Sequence, residues 1–313
     1  MFIIMFLAAF VVVTLFPLKG AWQNLAAVHD APTESVTQQE HVADPVDPFA
    51  GIKLEARAVY VFDMSNGTSL FARNENERLP LASVTKVMTA IVANDLIPSS
   101  TTVTIHGDDI ALEGDSGLYV GERWRLSDLI NFTLTTSSND GASAIAATAG
   151  SLGQVDYGVS SEDAKSAFVA AMNAKAKSVP ISDTVYFNET GLDVDDQTSG
   201  AYGTAKDMAK LFAYAVRNYP QIFTSTRHKD DSMSSLSGIA HVASNTNGIT
   251  GEIPGLLASK TGYTDLAGGN LVIVFDAGIM HPIAIAVLGS TKEGRFHDMK
   301  ALVDASVRKV SVE

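Results

Sequence analysis

Two apolar runs, ARAVYVFD at residues 56–63 and TSLFARN at 68–74, flank Ser65-Asn66-Gly67. Asn-Gly between such runs is a strong hairpin signal, because both residues tolerate the left-handed backbone of a tight turn. The folded part of the chain therefore opens with two antiparallel strands. Strand character returns only near the other end, in LLASKTG (256–262), NLVIVFDAG (270–278) and PIAIAVLGS (282–290), which follow one another at hairpin distances. In between, the period is helical. Val84, Val87, Met88, Ile91 and Val92 recur at i, i+3, i+4 spacing, and LSDLINFTLTT (126–136), DGASAIAATAG (140–150), SEDAKSAFVAAMNAKAK (161–177) and AKDMAKLFAYAVRN (205–218) add further helical stretches. GRFHDMKALVDASVRKV (294–310) closes the chain with Phe296, Met299, Val303, Val307 and Val310 on one helical face. The pattern predicts an α/β (α+β) fold in which both chain ends build one antiparallel sheet, flanked by helices, with a helical lobe inserted between them.

The composition narrows the function classes. With 313 residues a sizeable core is available, and 46% apolar and 18% charged residues exclude global disorder. A formal charge of −13 without a Lys/Arg cluster argues against a nucleic-acid partner. The absence of cysteine removes disulfides, thiol nucleophiles and thiolate metal sites together. The seven histidines show no metal-ligand spacing, and DVDD at 193–196 lacks the glycine and distal glutamate of a calcium loop, so neither metal nor cofactor is expected.

Residues 1–16, MFIIMFLAAFVVVTLF, carry no charge and end at Pro17. The run lies between a signal-peptide core and a full span in length. With no basic segment before it and no clean small-x-small site after it, residues 1–20 read as an N-terminal membrane anchor in preference to a cleaved signal. Residues 21–53 follow as an acidic linker, with Pro32, Pro45 and Pro48 and no basic residue from 28 until Lys53, leaving 54–313 as the folded domain. The expected location is the extracytoplasmic side of the cytoplasmic membrane.

The chemistry is carried by three short motifs. In LASVTKVMTA (81–90), Ser83 and Lys86 stand three apart at a helix start, on one face and one turn from each other. A lysine acts as a base only when desolvation or a second cation lowers its pKa, so the pair calls for another lysine. Alone the pair is weak, since Ser306 and Lys309 repeat the spacing in the closing helix. The other two elements are Ser137-Ser138-Asn139, the one Ser-x-Asn of the chain, and Lys260-Thr261-Gly262, the one Lys-Thr-Gly.

This set, in this order, resembles the penicillin-binding proteins and class A β-lactamases, and most of all the low-molecular-mass D-alanyl-D-alanine carboxypeptidases. LPLASVTKVMTA, GERWRLSDLINFTLTTSSNDGASAIA, FNETGLDVDDQTSGAYGTAKDMAKL and SKTGYTDLAGGNLV all read like that family, over roughly residues 55 to 310. The resemblance implies a DD-peptidase/β-lactamase-like fold and a serine-type carboxypeptidase acting on peptidoglycan stem peptides, with β-lactams as covalent inhibitors. It implies that Ser83 is the nucleophile, Lys86 its base, and Ser137 a proton relay to the leaving amine. Asn139 would bind the substrate's amide, Lys260 would keep Lys86 neutral, and Thr261 would hold the terminal carboxylate. Gly262 would leave room for a substrate strand, and the N–H groups of Ser83 and Tyr263 would form the oxyanion hole. Tyr263 replaces a histidine common in the family. Arg295 stands where relatives grip the substrate carboxylate, and a solvated charge at a helix start is the competing reading.

Two alternatives, one an enzyme and one not, share these residues. A DD-endopeptidase would cut cross-links with the same machinery, and a non-catalytic penicillin- or stem-peptide-binding module would keep the fold without turnover. ETGLD (189–193) resembles the deacylation motif of class A β-lactamases, but Asp193 stands where asparagine is required, and the surrounding loop fits the carboxypeptidase family.

Overall fold

The computed structural model describes residues 47–114, 117–152, 160–179 and 181–312. The anchor or signal segment at 1–20 and most of the linker lie outside the described residues. From residue 54 the linker was expected to give way to the domain, yet packing starts earlier. Phe49 is buried and stacks on Phe71, ring centroids 5.4 Å apart. An aromatic with an apolar wall within reach gains more from burial than the acidic composition around it suggests.

Both chain ends meet in one five-stranded sheet. β1 (Ala58–Asp63) and β2 (Ser69–Arg73) flank the predicted turn, where Gly67 takes φ +78°. After the short β3 (Leu79–Pro80), a 3₁₀ turn at Ala82–Thr85 leads into α1 (Lys86–Leu96). The inserted lobe holds β4 (Thr102–Thr104), β5 (Arg123–Arg125), α2 (Leu126–Thr136), α3 (Asn139–Leu152) and α4 (Ser161–Ser178). Then come β6 (Val185–Tyr186), β7 (Ala201–Gly203), α5 (Ala205–Asn218), and the hairpin β8 (Asp230–Ser234) and β9 (Ala240–Ser244). The chain finishes with β10 (Leu256–Thr264), β11 (Gly268–Asp276), β12 (Pro282–Ser290) and α6 (Gly294–Val312). The sheet order is β10-β11-β12-β1-β2, antiparallel throughout, with Val59 opposite Val287. β10 is therefore an edge strand.

Alternation divides the central strands between two layers. Ile283, Ile285 and Val287 of β12 point into a core shared with Met299 and Leu302 of α6, while Ala284, Ala286 and Leu288 face a second core with Met208 and Phe212 of α5. Both faces are covered, which is why these strands read as continuous apolar runs. The two small alanines on the α5 side admit the helix closely. β3, β7 and β6 form a separate three-stranded sheet that brings the segment 185–203 beside the turn carrying Ser83.

Candidate active site

Ser83 sits on the 3₁₀ turn and Lys86 is the first residue of α1. In 3₁₀ geometry residues i and i+3 eclipse, so the two side chains stack more directly than on an α-helix. Lys86 Nζ lies 2.8 Å from Ser83 Oγ. Three hydrogen bonds from two strands hold the turn. Asn270 of β11 donates through Nδ2 to the carbonyls of Pro80 (3.0 Å) and Leu81 (3.1 Å), and Leu81 N donates to Ala201 O of β7 at 3.0 Å. Ala82 is forced to φ +47°, a region a non-glycine residue rarely enters, immediately before the serine.

The second motif sits at the α2–α3 junction. Ser137 ends α2 in the left-handed conformation (φ +64°), and Asn139 opens α3. Between them, Ser138 Oγ caps α3 by accepting from Gly141 N at 2.8 Å. Gly141 lets the helices approach, since a Cβ there would lie 2.2 Å from Thr133 Oγ1. Asn139 Oδ1 accepts from Lys86 Nζ at 2.6 Å, and its Nδ2 donates to the Glu113 carbonyl at 2.6 Å. The amide is thus engaged at both ends. Ser137 Oγ has no hydrogen-bond partner among the described residues.

The third motif lies on β10, where Lys260 and Thr261 are buried. Lys260 Nζ donates to the Thr261 carbonyl at 3.0 Å, and Thr261 Oγ1 pairs with Thr246 Oγ1 at 2.6 Å. Gly262 abuts the turn that carries Ser83. A Cβ there would stand 2.8 Å from Leu81 O and 3.2 Å from Ser83 N. Tyr263 is exposed, with the Lys292 amine 5.4 Å from its ring centroid. Arg295, at the start of α6, is buried behind β10 and donates from one terminal nitrogen to Gly262 O at 2.8 Å. Its Nε is buried with no partner among the described residues. It is neither the solvated helix-start charge nor an exposed fork, and it reaches the site through the strand backbone.

Electrostatics follow from burial. Lys86 is fully buried and its pKa falls to about 7, chiefly by desolvation, while the negative charges of Glu189 and Asp140 oppose the fall. Lys260 lies well below the usual lysine range, again first by burial and then through repulsion by Lys86 and Arg295. The two amines are therefore close enough to repel. Two of the positions around Lys86 Nζ are filled by pure acceptors, Asn139 Oδ1 and the Thr190 carbonyl at 2.8 Å. When the amine is neutral its lone pair is left for the third direction, toward the Ser83 hydroxyl. A buried, neutral amine aimed at a hydroxyl on a strained turn has the geometry that a nucleophile–base pair requires.

Several contributors escaped the sequence reading. Thr190 supplies the second acceptor, and Gly191 (φ +79°) makes that approach possible, because a Cβ there would lie 1.9 Å from Ala82 O. The available signal was the Thr-Gly step in FNETGLD, a left-handed position in an otherwise polar loop. Glu189 and Asp140 are buried acids whose charge reaches Lys86. Asp193 accepts from Thr264 Oγ1 at 3.0 Å, tying that loop to the end of β10. Ser306, in the duplicate Ser-x-x-Lys, donates to Leu302 O at 2.7 Å inside α6.

Comparison with known proteins finds relatives over most of the chain. The family described as D-alanyl-D-alanine carboxypeptidase matches residues 40–291. D-alanyl-D-alanine carboxypeptidase DacC of Escherichia coli is 28% identical over 289 residues, covering 87% of this chain and 64% of that one. The chain thus spans just under two thirds of that relative's length. A D-alanyl-D-alanine endopeptidase of Pseudomonas aeruginosa is 28% identical over 235 residues, 72% of this chain and 70% of the other. A crystal structure of a D-alanyl-D-alanine carboxypeptidase from Mycobacterium tuberculosis superposes with a TM-score of 0.71 at 26% identity, covering 84% of this chain and 96% of that one.

Proposed function

The chain belongs to the D-alanyl-D-alanine carboxypeptidase family, and we propose that it is a serine DD-peptidase that trims peptidoglycan stem peptides through an acyl-enzyme on Ser83. The observation that carries this reading is the 2.8 Å approach of Ser83 Oγ to a buried amine whose pKa has fallen to about 7. Lys86 Nζ takes the hydroxyl proton as Oγ bonds to the carbonyl carbon of the penultimate D-alanine. The oxyanion is received by the N–H groups of Ser83 and Tyr263, which the contact of Gly262 with the nucleophile turn brings toward each other. The C–N bond then breaks, Ser137 passes a proton to the departing D-alanine amine, and water hydrolyses the ester.

Thr261 and Lys260 hold the substrate's terminal carboxylate, and the open edge of β10 receives its backbone as an added strand. An arriving carboxylate raises the pKa of Lys260, and the restored positive charge then favours loss of the proton from Lys86. Arg295 adds positive potential from behind the strand. Asn139 orients Lys86, and its bond to the substrate amide requires it to exchange the Glu113 carbonyl. β-Lactams enter by the same attack and remain as a covalent adduct. The domain works on the extracytoplasmic side, held to the cytoplasmic membrane by residues 1–20.

A second reading, DD-endopeptidase, is supported by the Pseudomonas aeruginosa relative. Incubation with a pentapeptide and with a cross-linked dimer separates the two, and release of free D-alanine from the pentapeptide is the expected result. Mass spectrometry after mixing with penicillin tests the nucleophile: an adduct on Ser83, absent in Ser83→Ala, is expected. No adduct on the unmodified chain would favour the non-catalytic binding module.

A further inference from the structure

The turn between β11 and β12 presents Ile279 at 99% and Met280 at 85% exposure, two consecutive large apolar side chains projecting into solvent. Neither takes part in the site described above. The turn is built to hold them out. Ala277 N donates to His281 O at 3.0 Å and His281 N to Gly278 O at 3.1 Å, while Asp276 Oδ1 accepts from the N–H groups of Gly278 and His281. His281 Nε2 lies 2.9 Å from buried Asp63 Oδ2. Met280 itself takes φ +60°, a left-handed backbone that glycine or asparagine would adopt with less strain. Two adjacent apolar side chains held in solvent by a strained, braced turn form a candidate contact surface.

The charges around the tip indicate which occupant. On a chain of net charge −13, the acids at this end, Asp63 and Asp276, are turned inward onto backbone and histidine donors. The cations face outward. Arg217 is exposed and donates to the Met64 carbonyl in the adjacent β1–β2 turn, and Met64 N in turn donates to Pro282 O at 3.0 Å, so both turns share one end of the sheet. α6 ends beside the tip, with Val310 Cγ1 3.7 Å from where a Gly278 Cβ would stand, and Arg308 is exposed in its last turns. The exposed acid Asp304 lies one helical turn further back.

We propose that the β11–β12 turn is a second membrane contact, in which Ile279 and Met280 enter the interfacial layer of an anionic bilayer and Arg217 and Arg308 meet its headgroups. This rests on the extracytoplasmic, membrane-tethered placement proposed above, but not on the peptidase chemistry. An anchor at residues 1–20, separated from Asp47 by residues 21–46 of the acidic linker, limits distance without setting orientation. The tip sets orientation. Asn270, which pins the Ser83 turn, lies six residues before Asp276 on β11. At about 3.3 Å per residue the cleft then stands roughly 20 Å from the base of the tip along the strands.

Because the chain has no cysteine, Ile279→Cys provides one labelling site for a polarity-sensitive fluorophore in the full chain, reconstituted in phosphatidylglycerol–phosphatidylethanolamine vesicles. Val242→Cys, on β9 and exposed, is the control. The expected result is a blue shift at 279, with quenching by nitroxide-labelled lipid, and a water-like spectrum at 242, both variants melting as the parent does. A water-like label at 279 in the reconstituted chain overturns the proposal. So does a concentration-dependent blue shift in detergent without lipid, which would assign the tip to a second copy of the chain. An equal response in wholly phosphatidylcholine vesicles overturns the anionic assignment. Penicillin labelling of Ser83, measured in parallel, reports the peptidase reading separately.

Discussion

Lys86 Nζ and Asn139 Oδ1 lie 2.6 Å apart, joining the first residue of α1 to the first residue of α3. Asn139 is therefore a neutral acceptor for the Lys86 amine, and its neutrality matters as much as its position. Asn139→Asp places a carboxylate against the amine and raises the pKa of Lys86 by about 1–3 units. The acid limb of kcat/KM is expected to move up in pH by that amount. An unmoved limb in the pH–rate profile would disconnect Asn139 from the base.

The pKa of Lys86, about 7, is the outcome of burial pulling down and Glu189 and Asp140 pushing up. The unmodified enzyme should gain activity as pH rises through about 7 instead of the ordinary lysine range near 10.5. Glu189→Gln removes one opposing charge, so its acid limb should shift to lower pH. A shift upward would mean that Glu189 does not act on Lys86 by charge.

The same burial has a stability consequence. An unfolded lysine keeps its proton up to about 10.5, whereas folded Lys86 releases it at about 7. Across that window the unfolded chain binds more protons, so stability contributed by this group rises with pH, and below 7 the fold carries a buried ammonium. Lys86→Met should melt above the parent at pH 6, lose that advantage by about pH 10.5, and fail to acylate. Calorimetry at the two pH values reads the difference.

Gly191 tests the positioning of the loop that carries Thr190. A side chain there meets Ala82 O at 1.9 Å, on a residue at φ +79°. Backbone strain and overlap together predict a loss of about 2–4 kcal/mol of stability for Gly191→Ala. Acylation should fall further than stability alone explains, because Ala82 immediately precedes Ser83, the proposed nucleophile. Chemical denaturation and penicillin-labelling rates separate the two effects.

Much of this architecture was legible along the chain. The run AKDMAKLFAYAVRN coincides with α5, LSDLINFTLTT with α2 and PIAIAVLGS with β12, because each carries its period in consecutive residues. The short elements were not. β3, β6 and β7 are two or three residues long, too short to show a period, and exist because of the partners they pair with. The β8–β9 hairpin, DDSMS against AHVAS, is mostly polar and exposed and carries little apolar alternation. Phe49 was assigned to the linker because composition averages over neighbours, whereas its contact with Phe71 is made across the fold.

What the sequence determined by itself was the set of candidate groups and their order: Ser83 with Lys86, then Ser137 with Asn139, then Lys260 through Gly262, since spacing along one backbone brings near neighbours onto one face. Only the tertiary structure decided the protonation of that set. It placed the Thr190 carbonyl and Asn139 Oδ1 on the lysine, brought Glu189, Asp140 and Lys260 into its field, and put Arg295 behind β10. A pKa depends on the water removed and the charges gathered around a group, and those neighbours come from segments up to a hundred residues or more away along the chain.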